Sequence, residues 1–232
     1  MKIIKPKRGE IFDIELEESL LRKNKELAEE NKKIFNQYGI KAVDILGSIG
    51  SGKTTLICQI VKKLKKEYKI AVIAGDLTTQ IDADVIKKNG AKVIQINTGK
   101  ECHLDAKLVK EAIKNLPLEE IDLLFIENVG NLICPAEFPL GAHYRIVVFS
   151  CTEGPYTVIK HPYIFKEADI VVINKIDLAQ KMGVSLTKFK KDIKKIKPSI
   201  PIIETNAKKS KGIEKIIKFL KNARVCLRST SY

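Results

Sequence analysis

The 232-residue sequence contains no tryptophan, only two methionines and three histidines, and 6% aromatic residues. Its five cysteines are odd in number and irregularly spaced, which excludes a disulfide framework and favours free thiols in a reducing compartment. The longest apolar runs, such as IDLLFIENVGNLI at residues 121–133, are interrupted by charged or amide side chains well before the ~20 residues of a membrane span. No signal peptide precedes them, so we expect a cytoplasmic protein with no membrane partner.

The basic residues outnumber the acidic ones, and the formal net charge is +14. Nucleic acid attracts basic proteins through its phosphates. Many of the lysines, however, alternate with apolar residues at helical spacing, as on the solvated faces of amphipathic helices. They include Lys62, Lys63, Lys65, Lys66, Lys190, Lys191, Lys194 and Lys195. Because no base-recognition motif accompanies them, we expect no specific nucleic-acid partner.

Apolar segments rich in β-branched residues alternate with helical patterns over residues 39–222. Such alternation predicts an α/β domain with a doubly wound, mostly parallel sheet. The predicted strands are KAVDILG, KIAVIAGD, AKVIQIN, IDLLFIEN, RIVVFS, DIVVINK and IPIIET.

Residues 1–38 precede this domain as an extension, with an amphipathic helix predicted over residues 15–38. The apolar stripe of this helix consists of Leu16, Leu20, Leu27, Ile34 and Phe35. Asn24 and Asn31 interrupt the stripe, so we interpret the segment as a helix appended to the domain. Residues 223–232 show no periodicity, and we expect a flexible tail there.

The strongest motif is GSIGSGKTT at residues 47–55, between a predicted strand and a predicted helix. Its glycines allow the backbone to wrap around a phosphate, and the amides of the following helix point at the anion. Lys53 supplies a cation for the β- and γ-phosphates, and the Thr54 hydroxyl supplies a ligand for Mg²⁺. The other expected nucleotide contacts in the loop are Gly47, Ser48, Gly50, Ser51, Gly52 and Thr55.

A Mg²⁺ ion in such a site needs oxygen ligands at the ends of neighbouring strands. Glu127 ends the strand IDLLFIEN and Asp76 ends AVIAGD, and packing explains neither acid. Asp82 follows a few residues later, and for this residue a solvated loop acid is an equally good interpretation. The catalytic residues that we expect are Lys53, Thr54, Asp76 and Glu127. The expected Mg²⁺ ligands are Thr54, Asp76, Asp82 and Glu127.

The segment VVINKID at residues 171–177 has the N-K-x-D pattern of GTPases, with Asn174, Lys175 and Asp177. A carboxylate at Asp177 accepts from two donors of guanine, and adenine offers no matching pair. Backbone contacts to the guanine oxygen are expected from Ala207 and Lys208 in ETNAKKS. Asn206 stands where serine is common in such loops.

Together, GSIGSGKTT, AGD, NTGKECHLDA, ENVGNLICP and NKIDLA resemble the nickel-incorporation GTPases of hydrogenase maturation, the HypB family. The resemblance runs from about residue 15 to about residue 222. It implies a P-loop GTPase related to the signal-recognition and MinD groups, which acts as a metallochaperone and forms a homodimer with GTP. It also implies a HypA-like partner and the hydrogenase large subunit as client. The cysteine- or histidine-rich N-terminal stretch of some members is missing here.

The resemblance further implies a metal site for Zn²⁺ or Ni²⁺ formed by Cys102, His103 and Cys134. Adjacent helical residues diverge by about 100°, so Cys102 and His103 share an ion only if they lie in a loop or at a helix start. Three ligands are one short of the tetrahedron that zinc favours, so water or a second subunit must supply the fourth. Gly130, between Glu127 and Cys134, is an expected nucleotide contact and hinge.

Other interpretations stay open at this point. Cys134 and His103 alone are also compatible with a structural role, as are Cys58 and Cys151, which we place in the core. A metal-independent P-loop kinase would need an acceptor-binding segment that we do not find. The other alternative is a related chaperone GTPase for urease or a cobalamin enzyme, although the Cys-Pro-His motif of urease chaperones has Ala136 in place of histidine here.

Overall fold

The computed structural model describes residues 11–76 and 80–223. Nine α-helices, four short 3-10 helices and seven strands lie within these ranges. The strands are β1 (Lys41–Leu46), β2 (Ile70–Asp76), β3 (Lys92–Asn97), β4 (Leu123–Glu127), β5 (Tyr144–Ser150), β6 (Ile170–Asn174) and β7 (Ile202–Glu204). The helices are α1 (Ile11–Tyr38), α2 (Lys53–Leu64), α3 (Ile81–Lys88), α4 (Ala106–Lys114), α5 (Cys134–Glu137), α6 (Thr157–Lys160), α7 (Pro162–Glu167), α8 (Leu186–Ile196) and α9 (Ile213–Asn222).

The seven strands form one sheet in the order β3-β2-β4-β1-β5-β6-β7, and every pair is parallel. All seven predicted strands are present, so the predicted doubly wound fold is confirmed. The glycine-rich segment follows β1, which lies at the centre of the sheet. The carboxyl ends of β1, β2 and β4 therefore meet at one edge, where a ligand is expected to bind.

Apolar side chains fill both faces of the sheet, as expected for strands covered on two sides. On one face, α2, α3 and α9 contribute to a cluster that includes Leu56, Ile86 and Ile216. On the other face, α1 and α4 cover one half of the sheet, and α7 and α8 cover the other half. None of the helices in the described part of the chain is long and apolar enough to cross a membrane.

The residues of α1 that face the domain are not those of its predicted apolar stripe. Leu20 is 55% exposed, whereas Asn24 and Asn31 are buried, so the predicted role of these three residues is wrong. Asn24 bonds the backbone of Ala106 at 2.8 Å and the carbonyl of Pro139 at 2.9 Å. The Asn31 amide donates to the carbonyls of Ala106 (2.8 Å) and Leu140 (3.1 Å). The asparagines are buried because each bridges the start of α4 to the segment after α5. Apart from Ala223, the predicted tail lies outside the described residues.

Candidate functional site

The glycine-rich loop of residues 47–52, called the phosphate loop below, connects β1 to α2 in a conformation that only small residues permit. Gly52, which precedes α2, has φ +98°, and a Cβ there would lie 2.3 Å from the Asn174 amide nitrogen. A Cβ on Gly47 would lie 2.1 Å from the carbonyl oxygen of Val148. Both positions therefore require glycine because of backbone geometry and close packing.

The Lys53 ammonium is buried inside this loop. It donates to the carbonyls of Gly47 at 3.0 Å and of Ser48 at 3.1 Å. Burial lowers the pKa of Lys53, and the charges of Glu127 and Asp82 oppose that shift. The loop thus wraps around a cation that can be redirected to a phosphate.

Glu127 ends β4 beside the start of α2, as the sequence predicts. The Thr54 hydroxyl donates to Glu127 Oε1 at 2.7 Å, so the two oxygens lie close enough to bind the same ion. Burial raises the pKa of Glu127 to about 7, although the Thr54 hydrogen bond and the Lys53 charge both oppose this shift. Its other carboxylate oxygen is buried and has no hydrogen-bond partner. A buried carboxylate oxygen without a partner, next to a hydroxyl, fits a Mg²⁺ ligand set.

A cavity of about 380 Å³ brings together predicted residues from five segments of the chain. Asp76 and Asp82 line it opposite the loop, and both are half-buried. The loop after β4 and the loop after β6 complete its walls. The predicted residues that line it are Gly50, Gly52, Lys53, Thr54, Thr55, Asp76, Asp82, Glu127, Gly130 and Lys175. Asp177, Ala207 and Lys208 are not among the described residues that line it and lie on the loops beyond.

Asn174 lies at the end of β6 and is buried. Its amide nitrogen donates to the Ser51 carbonyl at 2.9 Å, while its Oδ1 accepts from the Thr205 hydroxyl and the Ala207 amide, both at 3.0 Å. Asn174 therefore joins the phosphate loop to the loop after β7. The Ala207 amide is engaged in this bond, and its predicted contact with guanine stays a prediction.

The loop with the N-K-x-D pattern continues from Asn174 with an unusual backbone. Lys175 has φ +56°, in the left-handed region that non-glycine residues rarely adopt. Asp177 follows in a short turn and is exposed, and Lys208 on the neighbouring loop is exposed as well. Strained backbone of this kind concentrates at ligand-binding loops. The exposed carboxylate of Asp177 is available to a base entering from solvent.

Cys102, His103 and Cys134 converge on a second site. Their ligand atoms all lie within 4.8 Å of one another, with 3.1 Å between the two Sγ atoms and 3.8 Å from Cys102 Sγ to His103 Nδ1. Cys102 and His103 lie in the loop before α4, which begins only at Ala106. Two thiols and an imidazole within this radius suit Zn²⁺ or Ni²⁺.

The protonation states of the imidazole and the thiol have opposite effects on metal binding. Burial lowers the pKa of His103, which keeps the imidazole neutral at physiological pH, and its ring packs on Phe138 at a centroid distance of 4.0 Å. The hydrogen bond with Cys102 raises the pKa of Cys134, so its thiol keeps a proton until an ion displaces it. Metal binding here is therefore linked to proton release.

The segment from 128 to 134 contacts both sites. A Cβ on Gly130 would lie 2.8 Å from the backbone nitrogen of Ile49 in the phosphate loop. Asn131 pairs with Gly47 through an isolated bridge, and its side chain donates to the Cys102 carbonyl at 3.4 Å. Asn131 thus contacts both the phosphate loop, through Gly47, and the cysteine cluster, through Cys102.

Comparison with known proteins identifies the family. The model of the CobW/HypB/UreG nucleotide-binding domain matches residues 41–204. A probable hydrogenase maturation factor HypB from Methanocaldococcus jannaschii is 51% identical over 210 residues, covering 90% of this chain and 95% of the relative. The chain belongs to the HypB family.

Two crystal structures of HypB proteins share this fold. HypB from Archaeoglobus fulgidus has a TM-score of 0.81 and 46% identity, with 87% of this chain and 98% of that chain covered. HypB from Helicobacter pylori in complex with nickel has a TM-score of 0.81 and 36% identity, with 90% and 100% covered. The family model shows that residues 41–204 of this HypB-family chain form a nucleotide-binding domain.

Several residues at the two sites were not predicted. Glu153 follows β5, accepts from the Ser150 amide at 2.7 Å, and acts electrostatically on Lys53. The S-x-x-E spacing of Ser150 and Glu153 is a capping-box signal that the sequence does contain. Asn128, which lines the nucleotide cavity, was also missed, as were Asp44 on β1 and Arg145 on β5.

Proposed function

We propose that this chain is a GTPase that delivers nickel during the maturation of nickel-iron hydrogenase. The observation that carries the proposal is the Cys102, His103 and Cys134 cluster, which lies beside a P-loop nucleotide site on a shared segment. The HypB relatives support a role in hydrogenase maturation, and the Helicobacter pylori complex supports nickel as the cargo. The hydrolysis of GTP to GDP and phosphate is part of this proposal.

In the hydrolytic step, Lys53 leaves the Gly47 and Ser48 carbonyls and contacts the β- and γ-phosphates. Thr54, Glu127 and Asp76 would hold Mg²⁺, with Asp82 beside them. When bound, the ion neutralises charge that develops on the transferred phosphoryl group. Asp177 selects guanine, with Lys175 along the base and the Lys208 amide at its oxygen.

The metal site has three protein ligands, so its coordination is incomplete in one subunit. We infer that two chains pair when GTP is bound and that the paired sites complete the coordination of Ni²⁺ or Zn²⁺. Hydrolysis then loosens the pair and releases the ion. A HypA-like nickel protein and the hydrogenase large subunit are the partners this role requires, in the cytoplasm.

The test is a metal titration with GDP and with a non-hydrolysable GTP analogue, with dimer mass followed in parallel. Wild type is compared with Cys102→Ala and Cys134→Ala, and Cys58→Ala serves as the control because that thiol lies buried in α2. We expect GTP and metal to tighten each other's binding by the same factor, as linkage requires. Metal affinity that ignores both the nucleotide and the two site cysteines would refute the proposal.

A urease-type client is the second candidate. The matching family model also covers UreG proteins, and Pro135 follows Cys134 as in the motif of urease chaperones. Ala136 replaces the histidine of that motif, which favours hydrogenase. Capture of purified hydrogenase large subunit or of urease apoprotein by the nickel-loaded chain distinguishes the two clients.

A further inference from the structure

A single carboxylate lies buried in the central strand of the sheet. Asp44 is in the middle of β1 and is fully inaccessible to solvent. On its face of the sheet, it separates the apolar cluster under α1 and α4 from the cluster under α7 and α8. Arg145, directly opposite on β5, places its Nε 3.5 Å from Asp44 Oδ2. Neither residue contacts the nucleotide cavity.

Arg145 connects Asp44 to the segment that carries Cys134. Its terminal nitrogens donate to the carbonyls of Ala136 at 3.0 Å and of Pro135 at 3.4 Å. These carbonyls belong to the two residues that follow Cys134. A guanidinium is planar and has donors in a fixed fork, so its position fixes that of the backbone it binds.

Asn128 connects the same carboxylate to the segment that carries Cys102 and His103. Its amide nitrogen lies 3.4 Å from Asp44 Oδ1, and its own oxygen accepts from the Leu104 amide at 3.1 Å. Leu104 directly follows His103. The orientation of the Asn128 amide is thus set from one side by Asp44 and from the other by the Cys102–His103 loop.

We propose that Asp44 is a positioning residue for the metal site, in which it orients Arg145 behind Cys134 and Asn128 behind His103 so that the three ligands converge. The inference rests on the proposed metal function. Burying a carboxylate is costly unless it is paired, and an apolar residue would pack well at this position of a buried strand. Burial raises the pKa of Asp44 to about 6, with Arg145 opposing the shift, so the group is ionised at neutral pH.

Asp44→Asn removes the charge and keeps the shape. The amide oxygen can still accept from Asn128, but the attraction for Arg145 is lost. Partners behind metal ligands typically change metal affinity by about 10–100-fold. Because Asp44 acts through a second residue, we expect the lower end, about a tenfold loss of Ni²⁺ affinity.

The experiment is a Ni²⁺ titration of the full chain followed by the thiolate-to-nickel absorption in the near ultraviolet. Asp192→Asn is the matched control, because Asp192 is also a buried acid but lies on α8 beside Lys195. We expect weaker binding and an altered absorption spectrum for Asp44→Asn only, with unchanged GDP affinity. Equal losses in the two variants, or no loss in Asp44→Asn, would overturn the inference.

A second variant distinguishes a lost positioning role from misfolding. Arg145→Lys keeps a cation near Asp44 but lacks the fork that reaches both carbonyls, so we expect a similar loss of Ni²⁺ affinity with normal thermal unfolding. If Asp44 acts through Arg145, the double variant loses no more than either single variant, whereas independent effects would multiply.

Failure of the broader proposal looks different. If wild type takes up no Ni²⁺, or if Cys102→Ala binds it as well as wild type does, then the metal site itself is absent. The other outcome is that wild type binds Ni²⁺ through Cys102, and that Asp44→Asn has the same absorption spectrum and Ni²⁺ affinity as wild type. In that case only the positioning role of Asp44 is wrong.

Discussion

Replacing Asn174 by alanine separates two roles that the N-K-x-D motif combines. In the structure, the Asn174 side chain holds the Ser51 carbonyl at 2.9 Å and the Ala207 amide and Thr205 hydroxyl at 3.0 Å. Asp177, three residues later, is exposed. We therefore expect Asn174→Ala to destabilise the nucleotide-free protein, and Asp177→Asn to leave its stability unchanged.

The magnitude follows from the groups that lose their partner. The Thr205 hydroxyl can turn to the Ile173 carbonyl, 3.4 Å away, but the Ser51 carbonyl and the Ala207 amide stay unpaired. A buried polar group without a partner costs about 1–3 kcal/mol, so the two together cost about 3 kcal/mol. For a chain of this size, 1 kcal/mol corresponds to about 2–4 °C, which predicts a fall of about 6–12 °C in Tm.

The assay is thermal unfolding without nucleotide, followed by titration with GDP and with xanthosine diphosphate. Asn174→Ala should weaken both nucleotides by the same factor, because it loosens the phosphate loop without touching the base. Asp177→Asn should invert the preference towards xanthine, since its amide can donate to the extra xanthine oxygen. An unchanged Tm for Asn174→Ala, or a loss confined to guanine, would refute this reasoning.

Three further predictions concern the loop and the strand behind it. Lys53→Ala should abolish GTP hydrolysis and most nucleotide affinity, because it deletes the cation nearest the phosphoryl group, and unchanged phosphate release would rule out the site. Gly130→Ala should weaken GDP binding in calorimetric titration, because its Cβ would lie 2.8 Å from the Ile49 backbone nitrogen and push the phosphate loop aside; equal affinity would mean that the loop adapts. Burial raises the pKa of Asp44 from 3.8 to about 6, so the native state binds this proton more tightly than the unfolded state does. Relative to Asp44→Asn, wild type should lose about 2 kcal/mol of stability in urea unfolding as pH rises from 4 to 7, and a constant difference would contradict the shift.

Local sequence patterns were sufficient for the sheet, and they predicted residues that the fold brings together around one cavity. Each strand is an apolar run bounded by charged residues or glycine, and the residues that end β2 and β4 are the acids the sequence singles out, Asp76 and Glu127. Parallel topology then brings strand ends to one edge, so chain position alone places these acids beside Lys53. The convergence of Cys102 and Cys134 was different, because 32 residues separate them and spacing carries no information at that range.

The supporting residues were missed for a physical reason. Asn24 and Asn31 read as interruptions of an apolar stripe because a helical pattern measures hydrophobicity and not hydrogen-bond partners, and their partners lie 75 to 115 residues away. Asp44 did leave a signal, since an acid in the middle of the apolar run KAVDIL must be paired. Its partner Arg145 could be found only after the register of β1 and β5 was known.

The arrangement around Gly47 gives the two sites a physical reason to respond to each other. The Lys53 ammonium donates to the Gly47 and Ser48 carbonyls, so a phosphate that binds Lys53 competes with these two carbonyls. Gly47 is also the residue that pairs with Asn131, whose side chain holds the Cys102 carbonyl. A shift of Gly47 around a phosphate would therefore change the position of Asn131 and, through it, the Cys102 carbonyl. Contact alone does not make a switch, because coupling needs an element with two arrangements that each ligand biases. The segment from 128 to 134 is the place to look for a second arrangement, since it touches the phosphate loop at one end and carries Cys134 at the other.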